Sequence, residues 1–239
     1  MKGVLKRLRV RLARSGRMER DLGCFADAAR VLDLGCGRGT FLKLLGGRGI
    51  GVDGSQDHVE ACWRSGLDVR RVMLPGRLPF PDGHFDGVYC SHLIEHFGPN
   101  DALAILREID RVLRPGGVFL IRTPLLSPGF FDDPTHVRPY HLHCILHILG
   151  GWEEPGSRQV IFGSEESRYR LQSYYEEVHP WYTSTVAPTI CPSRFPVRLA
   201  LRGMSHLLTA LGVGRRGAYG AVLLKTRVSR GGAVQQDAA

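Results

Sequence analysis

Val31-Leu32-Asp33-Leu34-Gly35-Cys36-Gly37-Arg38-Gly39-Thr40 is the stretch whose reading decides the fold. An apolar run with the character of a buried strand leads straight into a glycine-rich turn, and Phe41-Leu42-Lys43-Leu44-Leu45 resumes with helical spacing. A strand that stops at such a turn leaves backbone N–H groups pointing outward at a helix N-terminus, and glycines let a ligand approach the main chain. The stretch predicts a nucleotide-type ligand site.

Working outward, Gly49-Ile50-Gly51-Val52-Asp53 reads as a second buried strand ending in an acid. Asp53 follows Gly35 at close to the ~20-residue spacing at which an acid reaches ribose hydroxyls in nucleotide-binding βαβ units. Gln56 to Arg64 predicts a helix, Val69 to Met73 a third strand, and Phe85 to Cys90 a fourth. A helix over Asp101 to Leu113 is stopped by Arg114-Pro115-Gly116-Gly117, and Val118 to Pro124 is a fifth strand. Gln159-Val160-Ile161-Phe162 and Ala221-Val222-Leu223-Leu224 complete the set as an antiparallel pair. The expected fold class is α/β: a Rossmann-like, seven-stranded, mostly parallel sheet with helices on both faces and an insertion between the last two strands.

Through residues 31 to 124 the chain resembles class I methyltransferases that use S-adenosylmethionine. The motifs are Leu32-Asp33-Leu34-Gly35-Cys36-Gly37-Arg38-Gly39, Asp53, Leu78-Pro79-Phe80, Phe85-Asp86, Glu95-His96 and Leu113-Arg114-Pro115-Gly116-Gly117. A dinucleotide-binding G-x-G-x-x-G requires glycine where Thr40 stands, which sets nicotinamide chemistry aside. The resemblance implies S-adenosylmethionine as cofactor. Gly35 and Gly37 bring the main chain against it, Asp33 holds its amino-acid end and Asp53 accepts from both ribose hydroxyls. Cys36, Gly54, Leu74 and Ser91 join the same contact set. One departure stands out: relatives carry a polar residue, commonly aspartate, before the Leu-Pro-Phe turn, whereas this chain reads Val72-Met73-Leu74-Pro75. A backbone contact to adenine is the expected substitute.

Methyl transfer from a sulfonium is an in-line displacement, so the protein supplies alignment and, for a hydroxyl acceptor, proton removal. Asp132 to His143 follows strand five, where open α/β sheets place their ligand crevice. Within it His136 is the first candidate for catalytic base or ligand, and Arg138 for a clamp on an anionic or sugar acceptor. His96 is a further catalytic candidate. His141 and His143 are equally read as the start of a helix running to Ile148. The spacing of His92, Glu95 and His96 puts two imidazoles and a carboxylate on one face if the segment is helical, and His136 can join them. Similar Glu-x-x-Glu-His patterns hold a divalent metal in methyltransferases of the small-RNA 3′-end and ubiquinone-pathway types. That makes a divalent metal the second cofactor expectation, set against a pocket-shaping role for the same residues.

Composition bounds the remaining choices. The chain has 239 residues, is 43% hydrophobic and carries a formal net charge of +9. Residues 1–20 hold eight lysines and arginines against Glu19 alone. On a helix, Val4, Leu5, Leu8 and Leu12 share one face, the pattern of a segment lying on an anionic membrane surface; packing on the protein's own core and RNA contact are the alternatives. No apolar stretch reaches the ~18 residues of a spanning helix, and no secretion signal is evident, so a cytoplasmic protein, peripheral at the membrane in one reading, is expected. Six cysteines without a C-x-x-C pair read as reduced thiols.

The expected organisation is a basic helical segment over 1–29, a cofactor-binding core over 30–163, an aromatic-rich insertion or lid over 164–217, a final strand over 218–228 and a tail over 229–239. The leading functional expectation is O-methylation of a small-molecule or glycan acceptor, by histidine general base or metal assistance. An RNA methyltransferase and a non-catalytic cofactor-binding or interaction module are the alternatives.

Overall fold

A computed structural model describes residues 17–127, 129–149, 169–179 and 215–226. A helix α1 over residues 17–23 precedes β1 (Val31–Leu34), α2 (Thr40–Leu45), β2 (Gly49–Asp53), α3 (Gln56–Arg64), β3 (Val69–Arg71) and β4 (Phe85–Ser91). The chain continues through α4 (Pro99–Val112), β5 (Leu113–Pro124), α5 (Leu142–Ile148), β6 (Tyr169–His179) and β7 (Arg215–Lys225). The seven strands form one sheet in the order β3-β2-β1-β4-β5-β7-β6. β1 to β5 pair in parallel, and β7 runs antiparallel to both β5 and β6.

Both faces are covered, which is why the parallel strands read as continuous apolar runs. Alternate residues of one strand serve different cores. Leu32, Leu34, Val88, Phe119 and Ile121 pack with Ile105 and Ile109 of α4 and Ile145 of α5. Val31, Tyr89 and Leu120 pack on the other face with Phe25, Phe41, Leu42 and Val59.

Two of the sequence motifs hold the scaffold together. Arg111 of α4 donates to the carbonyls of Leu78 (3.0 Å) and Phe80 (2.8 Å), while Glu108 accepts from the Leu78 N–H at 2.8 Å and pairs with Arg111 at 2.7 Å. The Leu-Pro-Phe turn is thereby clamped to α4. Asp86 accepts from the N–H groups of Ala29 (3.0 Å) and Arg30 (2.8 Å) and pairs with Arg114, fixing the entry to β1.

The end of the sheet departs from the sequence reading. Residues 159–162, read as the sixth strand, lie outside the described residues. The strand paired with β7 is Tyr169–His179, inside the range assigned to the aromatic insertion. Its polar residues find partners far away in the chain: Tyr175 donates to Asp21 at 2.6 Å, Tyr169 to Asp110 at 3.0 Å, and Glu177 pairs with Arg122. Hydropathy along the strand carries no trace of those contacts. The fifth strand also starts earlier than expected, because Leu113 already pairs with Phe85. Residues 1–16, most of the basic segment, lie outside the described residues. The part described, 17–20, contacts the protein's own fold: Arg17 pairs with Glu177 at 3.3 Å and Arg20 lies 3.5 Å over the Tyr175 ring. Among the described residues no helix is long and apolar enough to cross a membrane.

Candidate active site

After β3 the chain returns to the far side of β1 to form β4, so the crevice beyond the carboxyl ends of β1 and β4 is where the strand order reverses. A cavity of about 550 Å³ opens there. Of the expected cofactor residues it is lined by Asp33, Gly35, Cys36, Gly37 and Ser91, and of the expected acceptor-side residues by His92 and His136. Asp53, Gly54, Leu74, His96 and Arg138 are not among its lining residues.

The glycine turn is built for close approach. Gly35 has φ +74°, and a Cβ there would come within 2.8 Å of the Leu93 side chain. Gly37 has φ +54° with open space where a side chain would go, so its left-handed backbone presents bare main chain to the cavity. Asp53 fixes this shape from the end of β2. Its Oδ2 accepts from the Gly37 N–H at 2.8 Å, its Oδ1 accepts from the Ser55 N–H at 2.9 Å, and His58 Nδ1 lies 3.2 Å from Oδ1. Asp53 therefore braces the loop and the start of α3 together. Asp33 is buried on β1. Burial, with the nearby Asp53 charge adding to it, pushes its carboxyl up to about 8. Burial likewise drives the Cys36 thiol well above the ordinary thiol range. Gly54 lies against Met73, whose Sδ would be 3.2 Å from a Cβ at that position, and its carbonyl accepts from Arg71 Nε at 3.3 Å.

On the acceptor side the turn after β4 is not an α-helix. His92 takes φ 52°, and a single 3₁₀ turn follows over Ile94–His96. The helical face expected for His92, Glu95 and His96 is thus replaced by a tighter turn. That turn brings Glu95, His96 and His136 together, with one ligand-type atom of each within 4.8 Å of the others. His92 stands outside this trio, with Nδ1 3.4 Å from Glu95 Oε1. Glu95 is fully buried; Thr123 Oγ1 donates to its Oε2 at 3.1 Å, while its Oε1 has no hydrogen-bond partner. Arg138 is exposed, and its guanidinium lies 5.6 Å from the Tyr140 ring centre. His141 caps α5 and His143 lies within it, as the structural reading of that pair has it.

Three cavity residues escape sequence reasoning. Arg122 of β5, Glu177 of β6 and Arg17 of α1 line the wall beyond Ser91. Arg122 carried a signal, a cation placed directly after the apolar run Val118-Phe119-Leu120-Ile121 within one predicted strand. Glu177 carried none, since its strand was placed elsewhere.

The strand order and the glycine turn have the layout of the class I methyltransferase fold. Residues 32–121 match the family model described as a methyltransferase domain. The chain is 38% identical over 147 residues to a probable S-adenosylmethionine-dependent methyltransferase of Mycolicibacterium smegmatis, covering 56% of each chain. It is 31% identical over 124 residues to the sterol 24-C-methyltransferase erg6 of Aspergillus fumigatus, covering 47% of this chain and 32% of that one. This chain therefore spans only about half and a third, respectively, of the lengths of those two relatives. A SAM-dependent methyltransferase from Archaeoglobus fulgidus shares the fold, with a TM-score of 0.58 at 23% identity over 90% of this chain and 94% of that one. Over residues 32–121 the chain is thus similar to S-adenosylmethionine-dependent methyltransferases, and it shares their class I fold.

Proposed function

We propose that the protein transfers a methyl group from S-adenosylmethionine to an oxygen of a small-molecule or glycan acceptor. The observation that carries this reading is one cavity lined both by the glycine turn with Asp33 and by His136. The residues fit the cofactor. Asp33 offers a buried carboxyl for the ammonium of its amino-acid end, Gly37 leaves the main chain uncovered, and Asp53 stands at the strand end where ribose hydroxyls are received.

The bound cofactor supplies the electrophilic methyl group, and the protein aligns the acceptor and removes its proton. His136 suits that second task. Its Nδ1 lies 2.7 Å from the Phe130 carbonyl, which can only accept, so Nδ1 carries the hydrogen and Nε2 keeps its lone pair. A divalent metal at Glu95, His96 and His136 is the alternative to that base, since a bound metal would take up the Nε2 lone pair; the unpartnered buried Oε1 of Glu95 supports it. The polar cavity wall of Arg17, Arg122, Glu177, Ser91 and His92 favours a hydroxylated or charged acceptor over an apolar one.

The test is mass spectrometry of lipid, glycan and RNA pools from host extracts after incubation with protein and cofactor. A gain of about 14 Da, one CH₂, is expected on a glycan or small polar molecule. A gain confined to RNA would replace this reading with the second one, which the basic residues of 1–20 favour. In that case RNA binding should fall steeply with salt and vanish when residues 1–16 are deleted.

A further inference from the structure

We propose that Glu95, His96 and His136 hold a first-row transition-metal dication, selected over Mg²⁺, with His92 outside the ligand set. The inference deepens the methyl-transfer reading and rests on it for the metal's use, although binding is measurable without turnover.

The argument starts from the protons. His136 Nδ1 faces the Phe130 carbonyl at 2.7 Å, and His96 Nδ1 faces the Thr135 carbonyl at 3.1 Å. Carbonyl oxygens only accept, so both imidazoles carry hydrogen on Nδ1, which in the neutral ring leaves the lone pair on Nε2. The Thr135 hydroxyl agrees with this assignment. It donates to Asp133 Oδ1 at 2.6 Å, which leaves its oxygen to accept from His96 Nδ1 at 3.0 Å. Metal-ligating histidines are typically held this way, with the second nitrogen donating to a carbonyl or carboxylate that fixes tautomer and ring orientation. Thr135 is therefore a positioning residue for His96.

The third donor is already desolvated. Glu95 is 0% exposed, and its Oε1 is buried without a hydrogen-bond partner. Such an atom calls for an explanation, and a bound cation supplies one. His92 Nδ1 lies 3.4 Å from Oε1 without hydrogen-bonding it, on a side chain 47% exposed and a left-handed residue. His92 does not come within ligand reach of the other two histidines, so the four-residue pattern visible in sequence reduces to three.

Donor chemistry selects the ion. Two imidazole nitrogens and one carboxylate oxygen suit Zn²⁺, Fe²⁺, Co²⁺ or Mn²⁺, whereas Mg²⁺ prefers oxygen ligands in near-ideal octahedral arrangement. Three protein ligands also leave open positions. The set contributes one negative charge against two positive, and the nearest further acid is Asp133, whose Oδ2 lies 3.9 Å from His136 Nε2. A dication there would lower the pKa of an acceptor hydroxyl that reaches it.

The test uses the full chain without a polyhistidine tag, stripped with chelator and titrated with Co²⁺ alone while visible d–d absorption is followed. One equivalent should bind, Zn²⁺ should displace it, and a large excess of Mg²⁺ should not. His136→Ala and His96→Ala should each weaken binding by about 100-fold or more, Thr135→Val by about 10-fold, and His92→Ala not at all. Glu95→Gln is checked by its melting temperature, because Glu95 is buried; the part-exposed His136 keeps the test decisive if that variant unfolds. Absence of stoichiometric Co²⁺, displacement by Mg²⁺, undiminished binding in His136→Ala, or equal loss in His92→Ala would each overturn the proposal. Calorimetry with S-adenosylhomocysteine on the same stripped samples reports the cofactor reading separately. Cofactor binding without cobalt binding removes the metal alone, and cobalt binding without cofactor binding removes the methyl-transfer reading alone.

Discussion

The Arg122 guanidinium and the Asp21 carboxylate lie 3.3 Å apart with both side chains buried, joining the middle of the sheet to α1. The pair is the centre of a larger group. Tyr89 and Tyr175 donate to Asp21 at 3.2 and 2.6 Å, Arg122 also pairs with Glu177, and Glu177 reaches Arg17. α1 is thus bolted over the cavity through charges that have left water. Removing one partner of such a pair leaves the other buried and uncompensated, which typically costs about 3–5 kcal/mol. Asp21→Ala should lose stability on that scale in urea unfolding; a loss under about 1 kcal/mol would mean that α1 is not held this way.

Asp53→Ala should abolish measurable cofactor binding. Two charge-assisted hydrogen bonds to a diol are worth about 1.5–3 kcal/mol each, so the predicted weakening is about 100-fold or more by calorimetry. Because Gly37 loses its acceptor too, hydrogen exchange at that amide should quicken in the variant even without ligand. Unaltered affinity would contradict the assignment of Asp53.

Asp33 makes stability depend on pH in a direction opposite to that of a salt-bridged acid. Its folded value of about 8 lies above the ordinary 3.8, so the folded protein keeps a proton that the unfolded chain gives up. The stabilisation is complete below the unfolded value and is lost as pH rises through about 8. Asp33→Asn carries no such proton. Its unfolding free energy relative to wild type should rise between about pH 5 and pH 9 by a few kcal/mol, at about 1.4 kcal/mol per unit of pH. The same variant should bind cofactor more weakly. A pH-independent difference would show that Asp33 is not the titrating group.

Arg111→Ala separates scaffold from site. It strips donors from the Leu78 and Phe80 carbonyls and leaves Glu108 without its cation. Destabilisation of about 2–4 kcal/mol in denaturant is expected, with cofactor affinity of the folded fraction unchanged. A selective loss of affinity at undiminished stability would place the Leu-Pro-Phe turn in the binding site instead.

What could be read from sequence was local. The strand, turn and helix of Val31 to Leu45 declare themselves through apolar runs and glycines, as does the acid ending β2, because each depends on neighbours in the chain. The acceptor wall depends on distant ones. Glu177 becomes a buried acid only because β6 lies beyond β7 and α1 folds over it, and a strand of tyrosines and glutamates resembles exposed chain until those partners are known. His92 shows the converse error. Its spacing with Glu95 and His96 suggested one helical face, but its left-handed backbone is set by the turn after β4 and not by the spacing of side chains. Arg138 stands exposed, with its guanidinium 5.6 Å from the Tyr140 ring centre.

The brace at Asp53 has one more consequence. A carboxylate has about four acceptor positions, and here two take backbone N–H groups while His58 stands at 3.2 Å on a third. A vicinal diol asks for two. His58, with a side chain 39% exposed, stands at one of the positions that the proposed ribose diol would need. Docking at Asp53 is then an exchange of partners, and His58→Ala should tighten the cofactor's hold by removing the incumbent. Looser binding in that variant would instead make His58 part of the grip.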